Sequence, residues 1–173
     1  MKTTTSLTIA LTAALALPAY ALSAQAALPV RFATHAETTT TAADDAHERG
    51  IALMARNQIT ANRAAARLHL ESAALRPAGD SLATRCLLEA AYLFYGVGDL
   101  SDARKALTAG GERAVEMGDV VRGATAYLDA ASVAQEQRDG LAQRQFMDKA
   151  RLLSHSPLLT GDQRTEINRR LGN

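Results

Sequence analysis

A two-residue punctuation recurs about every twenty residues along most of this chain: Gly79-Asp80, Gly98-Asp99, Gly118-Asp119, Arg138-Asp139 and Gly161-Asp162. Glycine tolerates the positive φ of a tight turn, and aspartate accepts the free amide hydrogens at the start of a helix. Each pair therefore marks a turn. The segments between them are rich in Ala, Leu, Arg and Glu, and most are long enough for one helix of four or five turns. The pattern predicts an all-α stack of antiparallel helices, six or seven in number. Such a period encodes packing between neighbours and leaves exposed faces free to vary, so it specifies architecture and not chemistry.

Residues 1–26 read differently. A single charge at Lys2, an apolar stretch from Leu7 to Leu17, a break at Pro18 and the small-residue triplet Ala24-Gln25-Ala26 have the layout of a secretory signal, cleaved after Ala26 or after Ala21, or kept as an anchor. The apolar core is shorter than a spanning helix needs, so no stable membrane span is expected after cleavage. The expected location is periplasmic or secreted. Residues 27–43, with Thr38 to Thr41 at their centre, read as a flexible Thr-rich tether, and 44–173 as the helical domain.

Without Lys2 the 19 basic residues become 18, against 18 acidic. A neutral chain gives no bulk charge to attract nucleic acid. One cysteine, Cys86, cannot form an internal disulfide, so the fold must rest on its core. That core has no Trp and many alanines, which suits helices approaching closely.

Along the domain, Asp44 or Asp45 is placed to cap a helix running toward Arg56, and a second segment covers about 59–76; the two could equally be one helix. Segments 81–97, 100–117, 120–137, 140–154 and 161–171 follow. Apolar residues surround 81–97, which is expected in the middle, with the one-sided 100–117 and 120–137 covering it and 161–171 as a polar terminal cap.

Segment 84–154 resembles tetratricopeptide-type helical hairpin repeats. The residues that carry the likeness are Leu87, Ala90-Ala91, Phe94, Gly98-Asp99, Ala103 and Leu107, then Tyr127, Ala130-Ala131, Ala134 and Arg138-Asp139. Gln143 stands where the family has a small residue, and the two units lie about 40 residues apart against the family's usual 34 or so. The resemblance implies a short right-handed superhelical stack of about three hairpins that binds a protein or peptide segment along its concave face. Carried over by position, that face holds Arg85, Leu88, Tyr92, Tyr95, Thr125, Leu128, Ser132 and Gln135. Tyr92 and Tyr95 also suit core positions, and the Gly118-Asp119 turn fits the opposite hairpin phase nearly as well.

No chemistry rises above this background. His47-Glu48 begins like a zinc-protease helix, but Ile51 stands where the second histidine is needed. His35, Glu37, Asp44, Asp45 and His47 could gather loosely around a metal, though nothing fixes their geometry. Cys86 lies in an apolar run and reads as a packed thiol. Ser154-His155-Ser156 precedes Pro157 in an expected loop and does not make a triad. Neither an enzyme, a cofactor nor a metal site is expected. Arg49, Arg56, Arg63 and Arg67 would align as a basic stripe if residues 45–76 formed one helix. The expected function is a non-enzymatic interaction scaffold in the cell envelope. The alternatives are a self-associating or docking subunit of an envelope assembly and a small-molecule or metal-binding module.

Overall fold

The computed structural model describes residues 28–172, and every regular element in that span is α-helical. The helices are α1 (Leu28–Met54), α2 (Ile59–Leu75), α3 (Ser81–Gly96), α4 (Leu100–Glu116), α5 (Val120–Glu136), α6 (Gly140–Ser154) and α7 (Gly161–Leu171). From α2 onward each helix packs on the next, giving the expected stack of hairpins, and α7 also touches α5. The chain divides into a unit ending at His35 and a second beginning at Ala36. Among the described residues the first unit holds only the opening turns of α1, and the second holds the rest of α1 together with α2 to α7. The expected signal at 1–26 lies outside the described residues.

The turns show why the boundaries after α2 fall within a residue of their expected places. Gly98 and Gly118 adopt φ of 80° and 79°. The amides of Asp99 and Asp119 then reach back to the carbonyls of Phe94 and Ala114, both at 2.8 Å, which closes the preceding helix in a Schellman-type turn. Arg138 takes the same left-handed geometry at φ 58° without being glycine. Asp80, Asp119 and Asp139 also accept an amide hydrogen from the first turn of the next helix. Gly161-Asp162 differs: both residues lie inside α7, which is capped instead by Thr160 and Gln163 bonding reciprocally.

Two expectations are corrected and one open alternative is decided. Helix α1 begins at Leu28, so neither Asp44 nor Asp45 caps it, and the Thr-rich segment read as a tether carries helix. The helix buries Ala43, Ala46 and Gly50, a stripe of small residues at three-to-four spacing that a pattern of large apolar residues does not reveal. Of the two readings left open for residues 45–76, two helices are present: α1 ends at Met54, and Asn57 turns the chain at φ 45°. Finally, the most enclosed helix is α5 and not α3. Alongside the expected stripe, Gly123, Ala126, Tyr127, Ala130, Val133 and Ala134 are buried around its other sides. Its small residues admit close neighbours: a Cβ on Gly123 would lie 2.6 Å from Val115 Cγ2. The terminal cap is as expected, with α7 burying Ile167 and Leu171 beside Val120 and Ala124.

Candidate functional site

The side chains of α3 and α5 meet across a groove. Tyr92 donates its hydroxyl hydrogen to Asp129 Oδ2 at 2.9 Å, and one turn further along Tyr95 donates to Glu136 Oε1 at 2.6 Å. Arg170 of α7 holds the other oxygen of Asp129 at 2.6 Å. Beneath these bridges is a cavity of about 240 Å³ lined by Ala91, Tyr92, Tyr95, Leu107, Asp129, Ser132 and Val133. Its floor is aliphatic and its rim polar. Tyr92 is 52% exposed and Tyr95 45%, so neither ring belongs to the core. Burial, and then the negative charge of Asp129, push the Tyr92 phenol up to about 12.

Of the eight residues expected on this face, Tyr92, Tyr95 and Ser132 line that cavity, while Leu88, Tyr92 and Thr125 line a neighbouring depression. Three do not join them. Leu128 is buried in the core cluster of α5, α6 and α7. Gln135 is exposed and accepts from Gln143 at 3.4 Å. Arg85 pairs with Glu89 at 2.7 Å, so its charge is not presented alone to a ligand carboxylate. Asp129 and Glu136 were missed; they lie 37 and 41 residues after their tyrosines, close to the repeat spacing that would have located them.

The basic stripe is not assembled. The α1–α2 break separates Arg49 and Arg56 from Arg63 and Arg67; Arg49 pairs with Asp45 at 3.3 Å and Arg63 with Asp99 at 2.6 Å. The loose acidic and histidine set also disperses. Asp44 bonds Arg76, Asp45 turns to Arg49, and the side chains of His35 and Glu37 lie outside the described residues. Ser154 donates to the carbonyl of Arg151 in its own helix, and His155 comes next as an exposed C-cap.

His47 instead points inward and meets residues from two other helices. Its Nδ1 is 3.2 Å from Nδ1 of His69 on α2 and 3.5 Å from Sγ of Cys86 on α3. Glu89, one turn after Cys86, brings Oε2 to 3.5 Å from His69 Nδ1 and 4.0 Å from His47 Nδ1. The sequence marks Cys86 as packed, and its side chain is indeed fully buried, but a histidine stands beside it. Burial pushes the Cys86 thiol above its ordinary value and the His69 imidazole below its own, the latter against the pull of Glu89. Both shifts favour the neutral form of the side chain.

No protein-family model, curated protein or solved structure matches this chain. Among the described residues, no helix is long and apolar enough to cross a membrane.

Proposed function

We propose that this chain is an exported, non-enzymatic interaction scaffold of tetratricopeptide-like type, and that it receives an extended protein segment in the groove between α3 and α5. The observation that carries this reading is the pair of half-exposed tyrosines, Tyr92 and Tyr95, tethered to Asp129 and Glu136 over an aliphatic floor. Rings held by their hydroxyls lose little freedom on binding and offer flat apolar faces. Their pocket suits an apolar side chain of the guest, while the hydroxyls and carboxylates at the rim can accept its backbone amides. Export rests on residues 1–26, whose order of charge, apolar core and small-residue triplet is that of a secretory signal. The periplasm or the exterior of the cell envelope is then the place of action.

Panning a library of linear peptides on the purified chain tests the groove. Enriched peptides should share an apolar anchor residue and lose binding to a Tyr92→Ala, Tyr95→Ala variant that keeps its helical circular dichroism. Equal binding to both forms would move the site elsewhere.

A second reading, self-association, is favoured by one observation on α6. Leu141 and Leu152 are 64% and 75% exposed and eleven residues apart, which places them on one side of the helix, with Leu158 67% exposed just beyond it. Sedimentation over a range of concentrations separates the two readings. A mass that rises with concentration and falls back in Leu141→Glu, Leu152→Glu supports assembly through α6.

A further inference from the structure

We propose that His47, His69, Cys86 and Glu89 bind one divalent transition-metal ion of the zinc type, and that this ion pins α1 onto the α2–α3 hairpin. One ligand atom from each residue, a ring nitrogen of each histidine, the thiol sulfur and a carboxylate oxygen, lies within 4.8 Å of the other three. Bonds of about 2.0–2.1 Å to nitrogen and oxygen and about 2.3 Å to sulfur give a tetrahedron with edges of roughly 3.3–3.6 Å. Four of the six separations, 3.2, 3.5, 3.5 and 4.0 Å, lie near those edges, and the other two, no longer than 4.8 Å, must shorten by up to about 1 Å to enclose an ion.

The donor set selects the metal. Two imidazoles and a thiolate, borderline to soft ligands, outnumber the one hard carboxylate, so the set suits zinc and its neighbours and disfavours calcium or magnesium. Their two negative charges, once Cys86 loses its proton, neutralise a divalent cation, which makes a filled site compatible with burial. Without an ion the arrangement is poorly satisfied. Two ring nitrogens face each other and can share one hydrogen bond, and Glu89 Oε2 is buried with no hydrogen-bond partner. An ion uses these lone pairs, while His69 Nε2, also buried with no hydrogen-bond partner, keeps its hydrogen.

The surroundings hold the ligands in place. Arg85 grips the other oxygen of Glu89 at 2.7 Å, and Ser72, anchored to the carbonyl of Ala43 at 2.7 Å, lies 3.6 Å from Cys86 Sγ. Protein atoms fill all four positions and His69 and Cys86 are fully buried, so the arrangement is that of a structural site. Among the described side chains of α1 in the second unit, the buried residues are Ala43, Ala46 and Gly50, a thin apolar contact. A metal that ties His47 to α2 and α3 adds its binding free energy to the docking of α1.

Cobalt titration of the purified, untagged full chain decides the matter, because Co²⁺ replaces zinc and reports its ligands by absorption. Cys86 is the chain's single cysteine, so a sulfur-to-cobalt charge-transfer band saturating at one ion per chain identifies it as a ligand. The expected result is that band, together with intense visible bands of a four-coordinate ion, all displaced by Zn²⁺. The charge-transfer band should vanish in Cys86→Ala, and affinity should fall more than about tenfold in His69→Gln. Absence of the band from the wild-type chain overturns the proposal whether or not a variant folds. Amide hydrogen exchange in α1 should slow when Zn²⁺ is added, and exchange that does not change overturns the pinning of α1.

Discussion

The guanidinium of Arg63 grips the carboxylate of Asp99 with two hydrogen bonds, from Nε to Oδ2 at 2.6 Å and from a terminal nitrogen to Oδ1 at 2.9 Å. Arg63 is the fifth residue of α2, and Asp99 immediately precedes α4. The same rung recurs one step later, where Arg104, fifth in α4, bonds Asp139 before α6 at 2.7 Å. Arg144, fifth in α6, bonds the carbonyl of Gly140 in its own helix. Alternate helices are therefore tied directly to one another through the turn between them. Arg63 occupies both oxygens of Asp99, which is why Asp99, alone among Asp80, Asp99, Asp119 and Asp139, makes no side-chain cap bond, whereas Arg104 takes only Oδ2 of Asp139 and leaves Oδ1 to accept from the Ala142 amide.

This rung should be visible in acid. The Arg63 hydrogen bond and charge hold the Asp99 carboxyl below its usual range. A depressed carboxyl stabilises the fold fully above the ordinary aspartate pKa, and that stability is lost as pH falls through the folded value. Urea midpoints measured from about pH 6 to about pH 2 should therefore differ most at the upper end between wild type and Asp99→Asn, and converge as the acid limit is approached. Parallel curves would mean that the rung adds no pH-dependent stability.

Arg138 occupies the turn position that glycine fills at 98 and 118, with φ 58°. A side chain in this left-handed region costs about 1–2 kcal/mol, part of which glycine would return as greater freedom of the unfolded chain. Arg138→Gly should stabilise the protein by about 0.5–1 kcal/mol in urea unfolding. A net loss would show that contacts of the Arg138 side chain outweigh its backbone strain.

The turns, the helix boundaries beyond residue 59 and the polar cap were legible because they depend on local chemistry: a glycine or its substitute, then an aspartate, then a periodic stripe. Tyr92 and Tyr95 were legible as candidates, since the hairpin pattern places them on one face of α3. The histidine, cysteine and glutamate cluster was not. His47, His69 and Cys86 come from three helices, and no fixed spacing relates them; only Cys86 and Glu89, one turn apart, share a helix. Their meeting depends on how α1 lies against α2, and α1 was hidden by its own composition. Threonine is a poor helix former in isolation, and a stripe of Ala43, Ala46 and Gly50 does not register as amphipathic until a partner helix is known.

Alkaline titration should isolate the groove. The Tyr92 phenol is raised from 10.0 to about 12, first by burial and then by Asp129. A raised folded value means that the stabilisation is complete below the ordinary phenol pKa and is lost as pH rises through about 12. In Tyr92→Phe the decline of stability over this interval should be shallower than in wild type. In Asp129→Asn the phenolate absorbance should develop at lower pH than in wild type, as the opposing carboxylate is gone. An unchanged titration would separate Tyr92 from Asp129 in solution.

Gly50 sets two rules of helix chemistry against each other. In the interior of α1, replacing glycine with alanine should gain about 1 kcal/mol from propensity. The new Cβ, however, would sit 3.1, 3.2 and 3.3 Å from Nε2, Cε1 and Cδ2 of His69, whose ring is fully buried and whose Nδ1 faces His47. The ring has no solvent to move into, so it can yield only by pressing on the cluster or lifting α1. Overpacking of this kind costs about 1–3 kcal/mol, enough to reverse the propensity gain. Gly50→Ala should therefore lower the urea midpoint of the metal-free chain and speed amide exchange in α1. The paired variant Gly50→Ala, His69→Ala, with the ring removed, should recover the lost propensity term relative to His69→Ala alone. If Gly50→Ala instead stabilises the otherwise unchanged chain, the contact between α1 and His69 is looser than the fully buried ring requires.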